Sequence, residues 1–444
     1  MPFTTPFVAG IDANRTIKDE LSAAIGKQRG RRRISVTDLI NPRQAFFQRT
    51  HAEIRPSPER LQLMLSGTGF HDVLGRAVST EEFVEQFVEF EGVVGKIDIY
   101  EDIPTELKTT GFIPDDLLAE RGSYIDQLGM YCVMTGVDHG RLLVYKRAMY
   151  GRPPALRAFD CHYRNPRAIV REMTRRRDLL GDALETNDPS GLPRCEWLRI
   201  GCDYSAICGC QALAPAERVV PAQAVALEEN EALARAIGAQ VAKGPPATVG
   251  FRLNDLVFPR KAAFEHRAPE PAEDADEVTD AAIEERLADF ERKGFWGALN
   301  EALRFGVPGA FTRQLVELRS VKGWVGSFKG APTLLRSTKW RDMVDRKQLP
   351  ERFPHYFDRL AFECALTRQE RGRIIVYYEA IAGDKFMVYD IWFRDLAAIR
   401  AEADRRLSLL EAGAAPDRLP PCPAWMAKFC DYAPRCGCAD AGLA

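Results

Sequence analysis

The sequence has no apolar stretch long enough to span a membrane, and Met1-Pro2-Phe3 does not open a signal peptide. Both point to a cytoplasmic protein with no membrane partner. There is no excess of charge of either sign: 61 Lys and Arg stand against 63 Asp and Glu, a net charge of −2. That excludes a molecule coated for nucleic acid over its whole surface, so any such surface must be local. Cysteine is not scarce, with eleven in the chain. In a reducing compartment, these point to metal or iron–sulfur ligation before disulfides. The 444 residues, 46% hydrophobic and 28% charged, suit a globular protein of two to four domains.

One stretch organises the rest. Residues 92–110 read as two short strands joined by an acidic turn: Val93, Val94, Ile97 and Ile99 are β-branched, and Glu101-Asp102 with Pro104 breaks the run. Along the second strand, Glu106 and Lys108 share one face and Leu107 takes the other. Asp98 on the neighbouring strand can sit beside Glu106. Two carboxylates and an ammonium meeting at one spot are costly unless a cation sits between them. A divalent ion with a lysine can orient and deprotonate a water beside a phosphodiester.

Around that hairpin, helices are expected over 14–28, 35–51, 59–89, 124–135 and 166–185, and a strand over 140–147. The basic run at 27–33 is either a solvated connector or a phosphate contact. On the 124–135 helix, Tyr124, Gln127, Leu128 and Tyr131 share one face, which suits an amphipathic core helix. Cys195, Cys202, Cys208 and Cys210 crowd sixteen positions. Thiolates this close repel unless a soft metal binds them, and zinc suits four thiolates as well as iron does.

Taken together, these motifs resemble the PD-(D/E)XK nuclease superfamily, and more narrowly its RecB-like and CRISPR-associated exonuclease branch. Asp98 stands for the family aspartate and Glu106-Leu107-Lys108 for its E-x-K. Gly67 to His71 matches the family's glycine followed by histidine, and Gln127 with Tyr131 matches its Gln-x3-Tyr. The resemblance implies that Asp98, Glu106, the Leu107 carbonyl and His71 hold Mg²⁺ or Mn²⁺. It implies that Lys108 positions or deprotonates the attacking water, while Gln127 and Tyr131 line the site. It also implies a 4Fe–4S cluster, for which Cys202 and Cys208 match the family's C-x5-C. Asn41-Pro42-Arg43 stands where the family has Cys-Pro-Arg, so the distant cluster ligand is missing and Cys210 is its local substitute.

After an Ala- and Pro-rich linker at 213–224, the chain begins again. Pro259-Arg260 echoes Pro42-Arg43, Gly294-Phe295-Trp296 echoes Gly69-Phe70-His71, and residues 332–338 echo 104–110. Cys422, Cys430, Cys436 and Cys438 repeat the cysteine set. Matches in the same order imply two copies of one fold. The expected domains are 1–212 and 225–444, each α/β with a mixed sheet flanked by helices and one cysteine-bound centre. The differences fall on the chemistry. His71 becomes Trp296, Asp98 becomes Gly326, Glu106 becomes Leu334, Lys108 becomes Arg336 and Gln127 becomes Arg359. The second copy is therefore expected to cut nothing. Arg336, Arg359 and Trp296 either grip a DNA strand or have simply drifted, with Trp296 and Leu334 filling the old site as core.

The function these readings imply is divalent-metal-dependent hydrolysis of DNA phosphodiesters from a free end. The alternative is a non-catalytic DNA-binding or assembly subunit beside a helicase or CRISPR integration proteins.

Overall fold

The computed structural model describes residues 3–27, 33–148, 152–195, 202–214, 218–242, 250–266, 279–423, 426, 430, 432–436 and 438. The basic run at 27–33 lies mostly outside them. In chain order, the first part runs β1 (Val8–Ala13), α1 (Arg15–Ile25), β2 (Ile34–Ser35), α2 (Val36–Ile40), α3 (Pro42–Thr50), α4 (Pro58–Val78), β3 (Val84–Phe90), β4 (Val93–Tyr100), β5 (Pro104–Thr110), α5 (Leu117–Glu120), α6 (Gly122–Thr135), β6 (His139–Lys146), β7 (Ala155–Tyr163) and α7 (Pro166–Thr186). The second runs β8 (Val225–Glu229), α8 (Glu231–Ala242), α9 (Leu253–Val257), α10 (Pro259–Glu265), α11 (Asp280–Gly306), β9 (Phe311–Leu318), β10 (Val321–Phe328), β11 (Ala331–Thr338), α12 (Leu349–Arg352), α13 (Pro354–Thr367), β12 (Arg371–Tyr378), β13 (Phe386–Phe393) and α14 (Leu396–Glu411).

The fold is α/β, with two mixed sheets flanked by helices. One is ordered β2-β4-β5-β6-β7-β8 with β3 also on β4, and the other β1-β13-β12-β11-β10-β9. The pairings match step for step. In the first sheet, β3–β4, β4–β5, β6–β7 and β7–β8 are antiparallel and β5–β6 is parallel. In the second, β9–β10, β10–β11, β12–β13 and β13–β1 are antiparallel and β11–β12 is parallel.

The chain forms two compact units whose boundaries are not those read from the sequence. The N-terminal unit is Gly26–Pro245 with Glu277–Leu299; the C-terminal unit is Met1–Ile25, Pro246–Asp276 and Asn300–Ala444. The β–α arm that opens each copy joins the sheet of the other copy. Thus β1, from the first copy, pairs with β13, and β8, from the second, pairs with β7. The stretch expected to be a linker also packs: Val219 and Val220 are buried, and their N–H groups donate to the Asp126 carboxylate at 3.0 Å.

Two local expectations fail for clear reasons. The helix expected over 59–89 stops at Val78, and 84–90 is a strand, because Val84, Gln86, Val88 and Phe90 alternate at period two with Glu85, Phe87 and Glu89. The helix expected over 35–51 is two helices. Pro42 disfavours helical backbone at Asn41 and opens α3, while Ser35 caps α2 by accepting from the Asp38 N–H.

In the N-terminal unit, one face of the sheet packs Leu142, Val144 and Phe159 against Leu128 and Tyr131 of α6 and Ile169 and Met173 of α7. The other face packs Leu107, Leu143 and Tyr145 against Phe70 and Leu74 of α4, Ile237 of α8 and Phe290 of α11. Helices α4 and α11 cross at their glycines. A Cβ added to Gly69 would lie 1.9 Å from the Gly294 oxygen, so neither position admits a side chain without moving backbone.

Candidate active site

The site lies in a fork of the first sheet. Strand β4 pairs with β3 along its length, but on its other edge it meets β5 only at Ile99↔Thr105 and Tyr100↔Pro104 and β2 only at Val93 and Val94. Between those contacts, the edge is open. A backbone group facing such a gap needs a partner, and the Leu107 N–H finds one in Asp98 Oδ2 at 2.7 Å. Asp98 therefore bridges the fork.

On β5, the Glu106 side chain is 3% exposed, and its Oε1 accepts from Lys108 Nζ at 2.5 Å. Lys108 Nζ also donates to Gln127 Oε1 at 2.8 Å and lies 5.5 Å from the Tyr124 ring centroid. Gln127 Nε2 donates to the Tyr131 hydroxyl at 3.3 Å, and that hydroxyl donates to the Lys96 carbonyl at 3.0 Å, tying α6 to β4. The tie needs Gly95, since a Cβ there would stand 2.7 Å from the Tyr131 ring. From α4, His71 Nδ1 approaches Asp98 Oδ1 at 3.7 Å. The sequence-expected residues His71, Asp98, Glu106, Leu107, Lys108, Gln127 and Tyr131 thus converge, with the Leu107 side chain turned into the core.

The electrostatics divide the two carboxylates. Burial pushes Glu106 up, and Lys108 only partly offsets it, so its pKa rises to about 7. Burial also acts on Asp98, but His71, Lys108 and the Leu107 N–H together outweigh it and hold that carboxyl below its usual range. Lys108 is pulled down by burial, yet Glu106 and Asp98 more than compensate and raise it. It stays an ammonium.

Two buried polar atoms here have no partner: Glu106 Oε2 and His71 Nε2. Such orphans in a site of two carboxylates call for a ligand. Oxygen donors from Asp98 and Glu106 with an imidazole nitrogen fit a hard divalent ion. Among the described residues, no group of three or more His, Cys, Asp or Glu side chains is already drawn together as a metal site. Lys108 supplies the compensating positive charge in the arrangement seen.

The C-terminal unit has the same fork, with β10 meeting β11 only at Ser327↔Pro332 and Phe328↔Ala331. Counting along the matched strands sets Gly326 at the place of Asp98; Leu334, opposite Ile374, sets it at the place of Glu106, opposite Leu142. Leu334 is buried. Arg336 lies over the Tyr356 ring at 5.6 Å, and Arg359 Nε pairs with Glu363 Oε1 at 2.6 Å. Trp296 is 39% exposed, on the part of α11 that belongs to the N-terminal unit. The two arginines therefore share a unit, and Trp296 is not in it.

The cysteine sets are gathered pairwise. Contact with Cys195 holds the Cys210 thiol down to about 5 while pushing Cys195 up, and burial raises Cys208. In the second set, the Cys422 N–H donates to Cys438 Sγ at 3.3 Å and the Cys438 N–H to Cys436 Sγ at 3.4 Å. Cys202 and Cys430 are the more exposed member of each set.

Sequence reasoning gave no role to the arginines that strap these segments down. Arg43 donates to the carbonyls of Cys208 (2.6 Å) and Pro189 (2.6 Å), and Arg260 donates to those of Cys436 (2.9 Å) and Leu419 (2.9 Å). The signal was present: both follow the repeated proline.

No family model matches the chain, and no curated protein matches it. Among solved structures, the one titled "Crystal structure of SSO0001" aligns at 16% identity with a TM-score of 0.30, covering 46% of this chain and 96% of that one. That likeness is too loose to bear on the fold.

Proposed function

We propose that this protein is a divalent-metal-dependent deoxyribonuclease of the PD-(D/E)XK type, acting at DNA ends, with its active site in the N-terminal fork. The observation that carries the reading is the fork itself: Asp98 and Glu106 with divided pKa values, Lys108 paired with Glu106, and unpartnered Glu106 Oε2 and His71 Nε2. Asp98, Glu106, His71 and the Leu107 carbonyl would hold Mg²⁺ or Mn²⁺. When bound, the ion supplies charge for the phosphate oxygens and acidity for a water.

The chain's own residues do the rest. Lys108, kept protonated by its neighbours, orients the attacking water and steadies charge growing on the phosphate; it does not serve as a base near neutral pH. Gln127 holds the ammonium in place, and Tyr131 fixes Gln127 and anchors α6. Without the ion, burial raises Glu106 to about 7; as a ligand it would be held as the carboxylate. In the same reading, the two four-cysteine sets hold 4Fe–4S clusters, with zinc the rival, and the C-terminal copy lacks a catalytic metal because Gly326 and Leu334 offer no carboxylate.

The test is to incubate the intact chain with end-labelled single- and double-stranded DNA and Mn²⁺. Labelled product should appear, stop on addition of EDTA and resume when Mn²⁺ is restored in excess. Cleavage undiminished by EDTA would overturn the assignment.

A further inference from the structure

The C-terminal fork has no counterpart to Asp98 or Glu106, yet its cations and aromatic rings form a continuous run. Arg336 faces the Tyr356 ring at 5.6 Å; Tyr356 stacks on Phe353 at 5.1 Å and 9°; Phe353 packs on Trp340 at 5.0 Å. Arg352 lies over Trp340 at 5.7 Å. The run begins at a part-buried guanidinium that donates to its own strand's Leu335 carbonyl at 2.9 Å and ends at an indole that is 40% exposed. Burial lowers the Arg336 pKa and the neighbouring Arg359 adds to the lowering, more than Tyr356 and Glu363 offset. Arg336 and Arg359 share the Glu363 carboxylate, which pairs with Arg359 Nε at 2.6 Å, and an anion from outside relieves the surplus positive charge.

Trp340 is not filling a core. It sits two residues beyond β11, with its N–H donating to Thr338 Oγ1 at 3.3 Å. The N-terminal unit repeats this: Phe112 sits two residues beyond β5, donates its N–H to Thr110 Oγ1 at 3.3 Å, and is 53% exposed. Each fork thus presents one exposed ring at its mouth, held by the same threonine contact. Around Trp340, residues 339–352 carry five cations against three carboxylates. Exposed rings interleaved with cations suit a strand whose bases are unstacked and whose backbone is anionic.

We propose that the C-terminal fork is a binding site for single-stranded nucleic acid, with a base stacked on Trp340 and a backbone phosphate drawn to Arg336. Phe112 offers the matching stacking surface beside the N-terminal fork. The choice of nucleic acid as ligand rests on the nuclease reading, but the site needs no metal and no cleavage.

The experiment is fluorescence anisotropy of labelled oligo(dT) with the intact chain in EDTA, so that nothing is cut. Trp340→Ala should weaken binding roughly 5- to 150-fold, the range for losing one base–aromatic stack. Trp340→Phe should retain most of the affinity. Arg336→Gln should lower the slope of log affinity against log salt by about 0.7. Trp324→Ala, which removes an indole that is 60% exposed on β10, should change nothing. No oligo(dT) binding by the native chain, or equal losses in Trp340→Ala and Trp324→Ala, would overturn the site. Mn²⁺-dependent cleavage by a protein whose oligo(dT) affinity is indifferent to Trp340 would refute this site and leave the nuclease reading standing. Loss of binding in Trp340→Ala from a protein that never cuts would do the reverse.

Discussion

Glu106 bears the sharpest electrostatic conflict in the N-terminal unit. It is almost wholly buried, has one oxygen on Lys108 and leaves the other without a partner. Its carboxyl is raised to about 7, so the folded protein binds a proton that the unfolded chain, near 4.5, has already released. Stability from this group is full below about 4.5 and is lost as pH rises through about 7. In EDTA, Glu106→Gln should therefore gain stability relative to the native chain between pH 4.5 and 8, by roughly 1–3 kcal/mol. Paired urea melts at the two pH values check it, and a constant difference would show that Glu106 does not titrate there. Lys108 acts differently, because its charge is the useful form. Lys108→Ala should slow cleavage by about 10²- to 10⁴-fold while leaving binding of DNA in EDTA within a few-fold of native. A loss confined to binding would place Lys108 outside the chemistry.

At the scale of elements, the fork and the exchanged arms decide what the sequence could reveal. The hairpin at 92–110 was legible because β-branched runs, a proline and an acidic turn are local signals, and the strands fall where expected. Convergence of Asp98, Glu106 and Lys108 followed from strand alternation. The fork was not legible: nothing in the residues says that β4 and β5 pair over two positions only and leave Asp98 to take a backbone N–H. Strand β3 was misread as the end of a helix, although its residues alternate at period two. The arms were hidden for a different reason. A short β–α segment carries the same pattern whichever sheet edge it joins, so the helix read over 14–28 had a type and not a destination. This has a consequence for truncation. A fragment ending at residue 212 lacks β8 and α8, which complete the N-terminal sheet and its core. It should unfold with a shallow transition, whereas 26–299 should melt cooperatively and keep Mn²⁺-dependent cleavage. Circular dichroism melts of both fragments decide this; a cooperative, active 1–212 would contradict the pairing of β7 with β8.

Over the whole molecule, two copies of one topology have diverged at their forks and kept their frames. Arg43 and Arg260 hold the cysteine segments in the same way, and Arg176 and Arg406 each donate to a carbonyl of the short helix beside them, Leu39 and Leu256. What was conserved between the copies in this chain is scaffold, and what changed is the set of carboxylates. If both cysteine sets bind metal, each centre stabilises its own copy, because the energy of binding becomes energy of folding. Protein purified without oxygen should then contain two centres per chain. Cys208→Ser should lower the melting transition of the N-terminal unit more than that of the C-terminal unit. Two zinc ions without iron would change the identity of the centres and keep their role, while protein free of iron, sulfide and zinc would refute them. The central claim is that one of the two forks cuts DNA and that Glu106 is required for it. The most direct measurement sets the native chain beside Glu106→Ala, both shown folded by circular dichroism, with end-labelled DNA and Mn²⁺ at pH 8. The native chain should release labelled product and Glu106→Ala should release none; equal cleavage by the two, or none by either, would contradict it.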